Sequence, residues 1–145
     1  MITYEDIAAF REEMDAASKP KRSLNELAEL CHKASYSNGW WHDPDTGEEF
    51  PTTGFLGAHV IATKIGLIHS EISEAMEGHR KGLMDDKLPH LKAFEVELVD
   101  ALIRIFDLAG QQEMDLDGAF EEKMDFNDIR PDHKVKTRKA GGKLY

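Results

Sequence analysis

Residues 68–78 read IHSEISEAMEG, and the place of Glu71 in that stretch decides what kind of molecule this is. At about 100° per residue, Val60, Ile61, Ile65, Leu67, Ile68, Ile72, Ala75 and Met76 fill one broad arc of a helix over roughly 56–77. Glu71 falls inside that arc and Glu74 at its edge. The next helix, expected over 90–109, repeats the arrangement: Phe94, Leu98, Ala101, Leu102, Ile105, Phe106 and Leu108 form an apolar side. Glu97, Asp100, Arg104 and Asp107 form a narrow polar stripe beside it, with Val96 and Ile103 on the other flank. An ionised carboxylate taken out of water without a partner is expensive enough to be protonated instead, so carboxylate pairs at a core border call for positive charge.

Spacing alone decides little, because Asp or Glu pairs three residues apart occur eight times in this acidic chain. Position admits two readings. Asp100 and Arg104, at i and i+4, make an ordinary helical ion pair, and the stripe is then a structural charge network. Alternatively Glu71, Glu74, Glu97 and Asp100 hold a divalent cation. Carboxylate oxygens with no nearby thiol and no Glu-x-x-His on either helix suit Mg²⁺ or Mn²⁺ better than zinc or a di-iron centre. Magnesium in such a set normally binds together with substrate phosphates, which points to phosphate-ester or anhydride chemistry.

The rest of the chain sets bounds on these readings. Its 145 residues suit one domain, 1–145, and two full domains are not expected. A net charge of −10 opposes broad contact with a nucleic-acid backbone or an anionic membrane, so neither is an expected partner. The single Cys31 excludes an internal disulfide and a cysteine-based zinc site and fits a reducing, cytoplasmic compartment. No apolar run approaches the roughly 18 residues of a membrane span, and the acidic start MITYEDIAAFREEMD does not resemble a signal peptide.

Without repeats or alternating strands, the class is all-α. TYEDIAAFREEM is expected to form a first short helix capped by Thr3. SLNELAELCHKAS forms the next, with Ser23 as N-cap and Glu26 completing a capping box. NGWWHDPDTGEEFPTTG is loop chemistry around two tryptophans. Gly110 ends the helix that begins near His90, and LDGAFEEKMDFNDI is a last helix stopped by Pro131. The tail, about 131–145, is locally basic and reads as a solubilising extension, with a lid over the phosphates, aided by Gly141 and Gly142, as the functional alternative.

Glu71-Ile-Ser-Glu74, twenty-two residues, then Glu97-Leu-Val-Asp100 on consecutive helices resembles the metal-binding signature of the MazG-like all-α nucleoside triphosphate pyrophosphohydrolases, over about Lys64 to Arg130. Ser70 departs from the pattern, since the family often carries a further Glu there. The resemblance implies a helical bundle completed by oligomerisation into a homodimer or homotetramer. It implies hydrolysis of a nucleoside or deoxynucleoside triphosphate to the monophosphate and pyrophosphate. The cofactor is Mg²⁺, with Mn²⁺ able to substitute, and Glu71, Glu74, Glu97 and Asp100 are its ligands and the catalytic set. Lys123, Asn127 and Arg130 resemble the family's phosphate-holding residues; otherwise they are a solvated helix end. Arg104, Lys64 and Lys81 are second-rank candidates for the phosphates, each better suited to balance charge than to touch substrate.

Base recognition is expected from the N-terminal half. Trp40 and Trp41 offer stacking faces, and Asn38 and His32 can read a base edge, although loop tryptophans also pin loops to cores. The acids Asp43, Asp45, Glu48 and Glu49 suit the donor edge of guanine, which gives a lean to GTP or dGTP. The alternative from another class is a non-enzymatic helical oligomer or adaptor in which the carboxylates merely pair with Lys and Arg.

Overall fold

The computed structural model describes residues 22–130 together with Lys134, Lys139 and Gly141. The expected first helix and the rest of the basic tail lie outside the described residues. Within them the chain is α-helical, with isolated bridges His42 to Glu49 and Met84 to Lys92 in its two long connections and no strand. Four helices occur in order: α1 (Leu24–Ser37), α2 (Gly54–Lys81), α3 (Ala93–Gln111) and α4 (Leu116–Ile129). None of them is long and apolar enough to cross a membrane.

Local chemistry explains the boundaries. Ser23 Oγ accepts from Glu26 N (3.2 Å) and Glu26 Oε2 accepts from Ser23 N (2.7 Å), so the expected capping box starts α1. α2 runs a turn beyond its expected end. Glu77 pairs with Arg80 and Lys81 on that last turn, and Gly82, at φ 64°, supplies the left-handed residue that closes it. Gly110 does not end α3, which continues to Gln111. A Cβ at this position would lie 2.6 Å from the Ala28 carbonyl oxygen and 2.6 Å from His32 Cβ, so the glycine serves close approach of α1 instead. Arg130, the residue before a proline, turns extended and ends α4.

α3 is the centre of the bundle, packed against both α1 and α2. Ala28 lies against Gly110 and Ser35 against Asp107, while Gly78 lies against Ala93 and Glu71 against Arg104. Both neighbours therefore run antiparallel to α3. The buried apolar residues are mostly small, Ala28, Ala75, Ala101 and Ala109, with Leu108 and a fully enclosed Trp41. α4 packs lightly, chiefly on α1, where the two N-termini exchange caps. Asp117 accepts from Leu24 N (2.9 Å) and Asn25 Oδ1 accepts from Leu116 N (2.7 Å).

Candidate functional site

The polar stripe of α3 is the face turned toward its neighbours. Asp107 is buried, Glu97, Asp100 and Arg104 are half-buried, and Glu71 on α2, only 6% exposed, comes to meet them. The approach of α2 is made possible by Gly78, where a Cβ would sit 3.1 Å from Ala93 Cβ. One carboxylate oxygen from each of Glu71, Glu97 and Asp100 can be chosen so that all lie within 4.8 Å of one another. Glu74 stands outside this tight set, exposed on α2, but close enough for its charge to be felt at Glu97.

Crowding shows in the proton equilibria. Burial, then a hydrogen bond with Glu71, then the charges of Glu74, Glu71 and Asp100 push the Glu97 carboxyl up to about 7. Asp100 is raised by burial and by Glu71, against the opposing charge of Arg104. The sequence suggests an Asp100 and Arg104 pair along one helix, but the bond crosses between helices: Arg104 Nε donates to Glu71 Oε1 at 2.7 Å. Glu71 is the deeper acid, and a guanidinium from the facing helix offsets the cost of its burial. The three carboxylates still carry more negative charge than one arginine balances, so their donor set fits a hard divalent cation. Ser70, at the position of the expected extra acid, has its hydroxyl bonded to the Leu67 carbonyl (2.7 Å).

Beside the cluster, between α1, α2 and α3, lies an open cavity of about 320 Å³. Its wall includes Cys31, Ser35, Asn38, Trp40, Lys64, Leu67, Ile103 and Asp107, and it reaches Asp100 and Arg104 at the cluster. From Asp107 to Asp100 is two turns of α3, about 10 Å at 1.5 Å per residue. Burial, then the charge of Asp107, pushes the Cys31 thiol up, so it is a wall group and no ready nucleophile.

Asp107 organises the back of the cavity. Its Oδ1 accepts from Trp41 Nε1 (2.8 Å) and lies 3.0 Å from His32 Nδ1, while Oδ2 accepts from Ser35 Oγ (2.8 Å). Lys64 Nζ stands 3.9 Å from Oδ2, donates to the Trp40 carbonyl (2.8 Å) and lies 4.0 Å from the centre of the Trp41 ring. Burial lowers the Lys64 ammonium, partly opposed by Asp107. The two tryptophans therefore part company. Trp41 is enclosed and holds the loop to α3; Trp40 is 67% exposed and forms cavity wall. Asn38 joins Trp40 on the wall, whereas His32 sits behind it on Asp107. The sequence signal for Asp107 is its position seven residues beyond Asp100 on one stripe; nothing in the sequence pairs it with Ser35, Trp41 or His32.

Other expected groups lie apart from the cavity wall. Lys123 and Arg130 approach the Phe126 ring on α4, at 5.1 and 5.7 Å, and Asn127 Oδ1 is buried without a hydrogen-bond partner among the described residues. The acids of the loop form a turn of their own: Asp43 Oδ1 accepts from Asp45 N and Thr46 N, and Glu49 accepts from the Tyr36 hydroxyl. Neither α4 nor this turn contributes to the cavity wall. No family model, curated protein or solved structure matches the chain.

Proposed function

We propose that this protein is a nucleoside triphosphate pyrophosphohydrolase of the MazG-like type, releasing pyrophosphate and a nucleoside monophosphate in a Mg²⁺-dependent reaction. The observation that carries the reading is the convergence of Glu71, Glu97 and Asp100 within 4.8 Å at the end of a cavity of about 320 Å³. Carboxylates able to hold a cation thus adjoin, through Asp100, a cavity walled by an exposed indole. Glu71, Glu97 and Asp100 would hold the cation, with Glu74 at the rim completing the set, and Mn²⁺ would substitute. A bound divalent cation supplies charge neutralisation for the phosphates and a more acidic water.

The residues of the chain divide the remaining work. Trp40 stacks on the base, Asn38 and Ser35 meet its edge, and Asp107 fixes Ser35, Trp41 and Lys64 so that the wall keeps its shape. Glu97 must give up its proton before it can serve as a ligand. Glu74, the most accessible of the four acids, would take the proton of the attacking water. Lys123, Asn127 and Arg130 reach phosphates only through assembly or movement of α4. The many exposed apolar side chains, among them Leu102 on α3 and Phe120, Met124 and Ile129 on α4, support assembly into a homodimer or homotetramer.

The test is pyrophosphate release from a panel of nucleoside triphosphates with Mg²⁺ present or chelated. No release from any nucleotide would favour the second reading, a non-enzymatic helical oligomer. That reading draws on the Arg104 to Glu71 ion pair and the saturated Asp107 network, both of which stabilise carboxylates without any metal.

A further inference from the structure

Arg104 occupies the border between the two halves of the site. It lies one turn after Asp100 of the carboxylate set and one turn before Asp107 at the back of the cavity, and it is itself part of the cavity wall. Its Nε is committed to Glu71 Oε1 at 2.7 Å, which leaves the two terminal nitrogens of the guanidinium outside that bond. The two partners differ sharply in freedom: the Glu71 side chain is 8% exposed and that of Arg104 41%. Glu71 is fixed, and Arg104 has open volume beside it.

Giving Glu71 to a cation would disturb this pair. A dication a few ångströms from a guanidinium repels it, and sharing one carboxylate oxygen weakens both bonds. The buried carboxylate cannot retreat, so the mobile partner is the arginine. A nucleotide lying in the cavity with its phosphates toward the carboxylates must pass Arg104 at the junction of nucleoside and phosphate chain. A planar guanidinium with free N–H groups is the side chain best suited to grip phosphate oxygens there.

We infer that Arg104 is an exchange cation: it neutralises Glu71 while the carboxylates are metal-free and, once Glu71 is bound to a divalent cation, turns to the phosphate nearest the nucleoside. This rests on the hydrolase reading for the nature of the ligand, and it makes Arg104 a substrate-binding residue in addition to a charge balance.

The experiment avoids turnover and uses nucleoside monophosphates, each compared with its own nucleoside, by calorimetry on the full chain. In chelator, Glu71→Gln frees Arg104 without metal, so preference for the monophosphate over the nucleoside should rise about tenfold above wild type. Adding Arg104→Met to Glu71→Gln should abolish that gain, which a mere loss of negative charge at Glu71 would leave in place. Arg104→Met alone should bind Mn²⁺ several-fold more tightly than wild type in the absence of nucleotide, read by electron paramagnetic resonance, because no ion pair has to break. An unchanged monophosphate preference in Glu71→Gln, or a gain that survives Arg104→Met, overturns the inference. So does Mn²⁺ affinity that is unchanged or weaker in Arg104→Met. Should Arg104→Met fail to fold, Arg104→Gln takes its place in both arms. A protein that shows the Arg104-dependent phosphate preference yet releases no pyrophosphate leaves this inference standing and overturns only the reaction.

Discussion

The inner and outer faces of α3 contrast in a way that reverses the usual order of a small globular chain. Inward, toward α1 and α2, it presents Glu97, Asp100, Arg104 and the buried Asp107. Outward, Leu98, Val99, Leu102 and Ile105 are each more than a third exposed. Folding has enclosed the acids and left large apolar groups in contact with solvent. Burial of Ala101, Leu108 and Ala109 helps to hold the packed side of α3, but it does not account for the acids among them, since each carboxylate taken from water opposes burial. The inner face is therefore organised for chemistry or by ion pairing, and the outer face is the exposed apolar surface on which the proposed assembly rests. Substitutions on one face should spare the other.

The largest effect is expected at Asp107. Replacing it with Ala leaves Trp41 Nε1 and the Ser35 hydroxyl without their acceptor and removes the counter-charge of Lys64. Loss of one member of a buried charged network costs about 3–5 kcal/mol. Urea denaturation of Asp107→Ala should show a loss of that order, and a cost below about 1 kcal/mol would show that Asp107 does not hold the inner face together.

Glu97→Gln is expected to do the opposite, removing function while sparing the fold. Hydrolysis should fall by about 100-fold or more, the equivalent of about 2.7 kcal/mol at roughly 1.36 kcal/mol per decade. The metal-free thermal midpoint should hold or rise, because like charge is removed from a crowded set. Normal turnover of Glu97→Gln at saturating Mg²⁺ would refute the ligand assignment. Proton linkage gives a companion measurement. Folding raises Glu97 from 4.5 to about 7, so between those values the folded chain binds more protons than the unfolded one. Its contribution to metal-free stability is complete below about pH 4.5 and is lost as pH rises through 7. The metal-free midpoint should fall from about pH 5.5 to about pH 8, Glu97→Gln should flatten that fall, and Mg²⁺ should oppose it at the alkaline end.

How far these features are legible in sequence depends on whether they are local. The helices, the Ser23 and Glu26 box and the position of Glu71 within an apolar arc come from nearest-neighbour chemistry and periodicity. The end of α3 does not, because Gly110 marks a close approach to Ala28 carried by another helix. Nor does the partner of Arg104: periodicity places it beside Asp100, while the bond goes across to Glu71. Trp40 and Trp41 are adjacent in sequence and opposite in role, one exposed on the cavity wall and one enclosed against Asp107, which composition cannot distinguish. The arc of α2 is legible as a periodicity, but that Ile65, Ile72 and Met76 remain exposed while Glu71 is enclosed follows from where α3 meets it.

The outer face is tested by Leu102→Glu and Phe120→Glu, at positions 48% and 56% exposed. If another copy covers them, each charge should lower the average mass seen by light scattering at micromolar concentration. The wild-type midpoint should rise with protein concentration and the variants' midpoints should not. An isolated subunit should lose no more than about 0.5 kcal/mol, as for ordinary surface substitutions. A wild-type chain that is a compact, fully active monomer would leave the exposed apolar groups without this explanation.

The smallest effect concerns the choice of base. The lean to guanine draws on Asp43, Asp45, Glu48 and Glu49, and none of these lines the cavity. In the proposed reading, the wall groups open to a base edge are instead the Asn38 amide, the Ser35 hydroxyl, whose oxygen still accepts while its proton goes to Asp107, and the Lys64 ammonium. Such a set can accept from the N1 and N2 hydrogens of guanine and donate to its O6, but a neutral hydrogen bond contributes only about 1 kcal/mol net. Stacking on Trp40 is worth about 1–3 kcal/mol and is tolerant of base identity. Trp40→Ala should therefore weaken all eight common nucleotides by a similar factor, whereas Asn38→Ala should narrow the gap between guanine and the other bases by no more than about fivefold. A marked preference for a pyrimidine that Trp40→Ala leaves intact would place the base elsewhere than against this indole and return Trp40 to the surface of the loop that Trp41 anchors.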